Sequence, residues 1–175
     1  MKSGRTDDNP VRPVPITCQG RIMIHEEGSI LIERPIDVVF DFLVDGMNNP
    51  LWRTSVTDVQ KVPGKPNTYK MGMKGPGGRV DGDYEITEIR PRELIVMKGI
   101  AGMVRPTATF ALQASGDATR VTFSLHFEGK GPAKMMEPLV APMMRNEVGM
   151  LPKLKAGLET KRSADGGGHE GHQSE

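Results

Sequence analysis

From Val121 to Phe127 apolar and polar residues alternate without a break, Val121, Phe123, Leu125 and Phe127 against Thr122, Ser124 and His126. A period of two marks a strand with one face buried. Tyr69, Met71 and Met73 alternate in the same way with Lys70, Gly72 and Lys74. Further strands are predicted at Val56–Val62, Arg79–Ile89, Glu93–Gly99 and Thr107–Ala114, and the clearest one spans Arg120–Glu128. The connections Pro63-Gly64, Gly75–Gly78, Arg90-Pro91, Ala101-Gly102 and Ser115–Asp117 are short and rich in turn residues, as hairpins require. Upstream, Ile22–Ile24 and Ser29–Glu33 read as a first strand, ended by Arg34-Pro35.

Two stretches carry helical spacing instead. Val38, Val39, Phe42 and Leu43 follow Pro35, which suits a first helical position because its missing N–H has no partner there. Asp37 then meets the positive helix end, Asp45-Gly46 closes the helix, and Asn48–Trp52 reads as a second helical turn. Near the other end Leu139, Met143, Leu151, Leu154 and Leu158 fall close to one face, with Lys153, Lys155, Glu159 and Lys161 mostly elsewhere. This makes Leu154 a core residue and Lys155 a surface one. Pro138, Pro142 and Pro152 interrupt the stripe, and an interior proline costs about 3 kcal/mol unless offset, which predicts kinks or a late start. The order is strand, two short helices, six antiparallel strands, long helix. A run of about seven strands bracketed by helices is an α+β domain.

A chain of 175 residues fits one domain, placed here at 21–162. The segment 1–20 carries Pro10, Pro13 and Pro15 among polar residues, and 163–175 is rich in Gly and His. Neither buries enough apolar surface to offset its ordering entropy, so both are predicted to be flexible. Lys plus Arg number 23 against 22 Asp plus Glu, so no global field favours nucleic acid or an anionic membrane. Cys18 is the only cysteine, which rules out a disulfide within the chain and fits a reducing compartment. Met1–Gly20 lacks the apolar run of a signal peptide, and no apolar stretch reaches the roughly 18 residues of a membrane span. A cytoplasmic protein without stable membrane insertion is predicted. The 12 methionines either replace leucine in an ordinary core or line an adaptable cavity.

The stretch Ile30–Asp45, with Arg34-Pro35 and Val39-Phe40, followed by Asn49-Pro50-Leu51-Trp52, resembles the SRPBCC (START/Bet v 1-like) superfamily in its polyketide cyclase/dehydrase-like branch. Tyr84–Val96 is similar to that family's central hairpin, and Leu151–Glu159 to its closing helix. The resemblance covers about residues 22–161. It implies the helix-grip fold, a curved antiparallel sheet around one long C-terminal helix, with an internal hydrophobic cavity. It does not imply one chemistry, since members include aromatase/cyclases, lipid and sterol carriers and hormone receptors. The prolines of the last helix depart from the family's unbroken one.

Candidate ligand-binding residues are Trp52, Tyr69, Met71, Met73, Tyr84, Met97, Phe110 and Met143. Trp52, the only tryptophan, either stacks on a flat ligand at a cavity mouth or pins the second helical turn to the sheet. Tyr69 and Tyr84 add hydroxyls able to orient a ligand carbonyl or donate a proton. The alternative for the methionines is a filled core. His126 reads as solvent-facing, and His169 and His172 lack further ligands, so no metal site and no cofactor is predicted. Arg79, Arg105 and Arg120 are candidates to meet an anionic or carbonyl group if one points inward, but as strand residues they more often face water. Gly75–Gly78 precedes a strand and lacks the form of a phosphate loop, and there is no nucleophile elbow.

Two functions fit these residues: a binding module for a hydrophobic small molecule, polyketide- or lipid-like, or a cofactor-free cyclase/dehydratase working by proximity and orientation. No nucleic-acid partner is predicted, and the sequence sets no oligomeric state. Removing 1–20 and 163–175 together is expected to leave the melting temperature within a few degrees. A larger fall in a thermal melt would show that one of these ends belongs to the core.

Overall fold

The computed structural model describes residues 22–75, 77–102 and 104–165, with side chains through residue 160 except at position 133. The first strand is continuous: β1 (Ile22–Ile32) pairs with β8 (Ala118–Gly129) over its whole length. Between them in sequence come β2 (Val56–Val62), β3 (Lys65–Gly75), β4 (Gly78–Asp81), β5 (Tyr84–Arg90), β6 (Leu94–Gly99) and β7 (Thr107–Ser115). All pair antiparallel in one sheet of order β1-β8-β7-β6-β5-β3-β2, with β4 beside β3. The count is eight because the stretch predicted as Arg79–Ile89 breaks at Gly82-Asp83. There Gly82 N–H donates to Met71 O (2.8 Å) and Met71 N–H donates to Asp83 Oδ1 (2.9 Å). A side-chain carboxylate thus replaces a carbonyl in the ladder.

Helix α1 (Ile36–Val44) buries Val39, Phe40 and Leu43, and Pro35 sits just before it as the cap. A 3₁₀ turn at Gly46–Leu51 follows, its start held by Asp45, whose side chain accepts from Met47 N–H (3.1 Å). Asn48 Nδ2 donates back to Phe42 O (2.9 Å), tying the turn to α1. These are the two short helices expected after the first strand.

The closing helix is two consecutive helices, α2 (Glu137–Val148) and α3 (Leu151–Asp165), entered through a 3₁₀ turn at Gly131–Met136. Pro152 explains the interruption. It has no N–H for Val148 O, and its ring crowds that carbonyl. The chain passes the gap on three-residue bonds, Met150 N–H to Glu147 O (3.1 Å) and Lys153 N–H to Met150 O (2.9 Å). Pro138 lies in the first turn of α2, where it is tolerated, and Pro142 lies inside it. The buried stripe runs Val140, Met144, Glu147, Leu151, Leu154, Leu158, at alternating spacings of four and three. Leu139 was expected on this face but is exposed, and Met143 is only half-buried.

The helices lie across the concave face of the sheet, on β1 and β8. This is the helix-grip arrangement. At the sheet's centre Phe110 and Phe123 are cross-strand partners whose rings stack 4.4 Å apart, and Trp52 meets both edge-on at 6.1 Å. Helix α3 runs to Asp165, into the segment 163–175; residues 1–20, with Cys18, and His169 and His172 lie outside the described residues. Among the described residues, no helix is long and apolar enough to cross a membrane.

Lys155 is less of a bystander than its position suggested. Its Nζ donates to Leu31 O (2.8 Å) and pairs with Glu159 (2.8 Å), whose Oε1 accepts from Glu33 N–H (2.7 Å). Leu154 is fully buried. Leu154→Ala is therefore expected to cost about 2–5 kcal/mol, from lost transfer energy and the cavity left behind. Lys155→Ala should cost about 1 kcal/mol, because Leu31 O can turn to water. Chemical denaturation of both variants checks the contrast, and equal losses would mean that α3 does not pack through Leu154.

Candidate functional site

A cavity of about 150 Å³ lies between α2 and the concave face of β3–β8. Its walls are apolar over most of their extent: Met71, Met73, Met97, Phe110 and Phe123 from strands, Val140, Met143 and Met144 from α2. The mouth is bordered by Val80 and by Ala101, Val104 and Pro106 of the β6–β7 connection. This much free space fits a molecule of about one benzene ring, whereas sites for drug-sized ligands measure roughly 300–1,000 Å³. Five of the lining residues are methionines, whose three rotatable bonds let a wall retract around a larger occupant.

Six of the eight residues singled out from sequence line this space: Met71, Met73, Tyr84, Met97, Phe110 and Met143. Trp52 and Tyr69 do not. The Trp52 ring is buried behind Phe110 and Phe123, the arrangement of a residue that pins the 3₁₀ turn to the sheet. Tyr69 stacks behind Tyr84, its cross-strand partner, at 5.1 Å and 13°. The Tyr84 hydroxyl accepts from Asn49 Nδ2 (2.9 Å), and burial, helped by the neighbouring Tyr69, pushes its phenol well above the ordinary tyrosine range. It stays protonated through the physiological range and cannot supply a phenolate base.

The polar end of the cavity holds residues that sequence reasoning missed. Arg53 follows Trp52 directly, so the ring that anchors the 3₁₀ turn also fixes where Arg53 begins. Arg53 N–H donates to Asn49 O (2.9 Å), and its guanidinium carbon lies 5.9 Å from the Trp52 ring centre. Its Nε donates to Glu147 Oε2 at 2.7 Å, and Ser55 Oγ donates to Glu147 Oε1. Both charged side chains are nearly enclosed, 12% exposed for Arg53 and 8% for Glu147. Glu147 lies in the last turn of α2, where the helix dipole disfavours a carboxylate, so the arginine meets a charge that the helix does not. Asp83 also lines the cavity, one of its oxygens taken by Met71 N–H. Asp81 lines it too but is bridged to Arg79 at 2.6 Å.

The other cations and histidines lie elsewhere. Arg79 sits on the exposed outer side, where its hydrogen bond, with that of Thr57, holds Asp58 down to about 2. Arg105 donates to Gly102 O (3.0 Å), and Arg120 is exposed on β8. His126 is half-buried beside its cross-strand partner His25, ring centres 6.4 Å apart, and is not among the residues lining this cavity. Among the described residues, no group of three or more His, Cys, Asp or Glu could hold a metal ion.

A curved antiparallel sheet gripping paired helices around an apolar cavity defines a class of small-molecule-cavity proteins. Residues 23–155 match the family model described as polyketide cyclase / dehydrase and lipid transport, and the chain belongs to that family. Among solved structures it is similar to the Zhui aromatase/cyclase of Streptomyces sp. R1128, with TM-score 0.68 and 16% identity over 83% of this chain and 99% of that one. It is similar to TTHA0849 of Thermus thermophilus, with TM-score 0.64 and 18% identity over 80% and 99%. The di-domain aromatase/cyclase StfQ of the steffimycin biosynthetic pathway is also similar, with TM-score 0.61 and 14% identity over 81% of this chain and 52% of that one. At these identities the likeness is one of fold. No curated protein sequence matches the chain.

The two tyrosines need the space that Gly46 leaves. A Cβ on Gly46 would lie 2.0 Å from Tyr84 Oη and 2.8 Å from Tyr69 Cε1. Gly46→Ala is expected to cost about 1–3 kcal/mol through overpacking. Adding Tyr84→Phe removes the nearest atom and should recover part of the loss. Melts of the single and double variants check this, and an unchanged single variant would mean that the tyrosine pair is not packed against the turn.

Proposed function

We propose that the protein binds a hydrophobic, polyketide- or lipid-like small molecule in this cavity, acting in the cytoplasm as a carrier or sequestering module. The observation that carries the reading is the contrast between a methionine-rich apolar wall and acid–base groups that each already have a partner or are held neutral. Glu147 is held by Arg53 and Ser55, Asp83 by Met71 N–H, Asp81 by Arg79, and the Tyr84 phenol is held neutral. A general base needs a free lone pair within reach of the proton it takes. A cavity in which most such lone pairs are already engaged is suited to holding a molecule rather than converting it. Membership of a family whose description includes lipid transport supports the same reading.

The likeness to aromatase/cyclases favours a second reading, a cofactor-free cyclase/dehydratase in the same cavity. Such an enzyme would fold a reactive chain by shape and orientation. The trapped molecule separates the two. Native mass spectrometry of protein purified from its own host should show a co-purifying apolar species. Released and rebound, that species should be recovered unchanged. Recovery in a cyclised or dehydrated form would establish the enzyme instead. Protein that leaves its host at the mass of the bare chain, and takes up no apolar compound afterwards, would overturn both.

A further inference from the structure

Five thioethers line one apolar space, and they differ in how far water reaches them. Met71, Met97 and Met144 are buried. Met73 on β3 and Met143 on α2 are half-buried, so the sheet and the roof each bring one accessible sulfur to the cavity. Among the described lining residues there is no Cys, His or Trp, which leaves the thioethers as the most oxidisable groups of the wall. The Met73 sulfur also packs against Gly82, a lining residue on which a Cβ would lie only 2.8 Å from Met73 Sδ. That side leaves no room for an atom bonded to the sulfur, so an added oxygen turns away from Gly82. Met23, Met47 and Met135 are exposed too, at 69%, 43% and 85%, but none of them lines this cavity.

We propose that Met73 and Met143 are a modification site for hydroperoxides, and that their oxidation to sulfoxides weakens the hold of the cavity on an apolar guest. The sulfur lone pair attacks the terminal oxygen of the hydroperoxide, and the O–O bond breaks. The sulfur gives up two electrons and keeps that oxygen as a sulfoxide. The proton of the attacked oxygen passes to the departing one, which leaves as water or as an alcohol. In the empty cavity water solvates the new polar group. A guest displaces that water and leaves the sulfoxide facing an apolar molecule, which lowers the affinity. Sulfoxide reductases restore the thioether, so the change is reversible. This rests on the reading that the cavity binds a hydrophobic molecule, and it adds a control over its release.

The test uses the full chain carrying ¹³C-methyl methionine, and toluene as a one-ring hydrocarbon matched to the free space. Each methyl signal reports the oxidation of its own sulfur, and those of the lining methionines also report the binding of toluene. Hydrogen peroxide should convert Met73 and Met143 along with Met23, Met47 and Met135, well before Met71, Met97 and Met144. Toluene should then bind about tenfold more weakly, the size expected when a polar group loses its water and gains no partner. Reduction by the two sulfoxide reductases, one for each epimer, should restore the affinity. In Met73→Leu/Met143→Leu, a nearly volume-conserving change, the ratio of affinities before and after peroxide should fall to about one. Met23→Leu/Met47→Leu/Met135→Leu should lose affinity as the unaltered protein does. Met73 and Met143 remaining reduced while the exposed methionines oxidise would overturn the proposal. So would an affinity that their oxidation leaves unchanged, or a loss that the Met73/Met143 variant shares. If that variant does not fold, the reductase step decides on the unaltered chain, and an affinity that does not return overturns the site. Each of these outcomes leaves the hydrophobic cavity standing. Reduced protein that binds no toluene would remove the cavity reading and the proposal with it.

Discussion

A carboxylate carried on the buried stripe of a helix must have its charge matched before the helix can settle on a sheet. Glu147 sets that condition here. It occupies the stripe between Met144 and Leu151, in the last turn of α2. Arg53 and Ser55 meet it from the segment that leaves the 3₁₀ turn. A buried pair of this kind contributes little net stability against an apolar replacement, but losing one member costs about 3–5 kcal/mol. The pair therefore acts as a condition of assembly. The turn is pinned by Trp52 to the phenylalanine stack, and the pair joins that turn to the helices. Roof and wall of the cavity meet at one polar point, and the space between them is what the apolar side chains leave unfilled.

Most of the sheet was legible because a half-buried strand imposes its period on sequence. The alternation at Val121–Phe127 and Tyr69–Met73 lies where the strands lie, and the Phe110–Phe123 pair follows from the register of β7 and β8. The break between β4 and β5 was not legible, since it depends on the Asp83 side chain replacing a carbonyl, and nothing in period or propensity announces that exchange. The closing helices taught a sharper lesson. Reading the stripe by apolar residues alone selects Leu139 and Met143 and passes over Glu147. Extending the phase of Leu158, Leu154 and Leu151 at spacings of four and three leads instead to Glu147, Met144 and Val140, the residues that are buried. A charged residue in phase with a buried stripe was the available signal for the polar end of the cavity. Its partner Arg53 carried no such signal, because only the fold brings residues 53 and 147 together.

The candidate site divides along the same line. Residues on the concave face of regular strands, such as Met71, Met97 and Phe110, could be assigned from alternation alone. Trp52 and Tyr69 were ambiguous because sequence pattern tells that a residue faces inward and not how deep it lies. Both point inward, and both are covered by a second aromatic layer. The family supplies an architecture in which such depth differences decide what fits, and it hosts carriers and catalysts on one frame. Whether a member converts its ligand turns on a few lone pairs, and in this chain each lining acid has at least one oxygen engaged by a neighbour.

The junction of α2 and α3 rests on Gly28 of β1. A methyl there would come within 2.7 Å of Val148 Cγ1 and 3.3 Å of Leu151 Cδ1. Gly28 lines no part of the cavity. It nonetheless sets how closely the roof approaches the sheet, so the height of the chamber is governed from its hinge side. A family built this way has two independent means of adapting to a new guest. One re-papers the wall facing it, and the other shims the roof at a point the guest never touches.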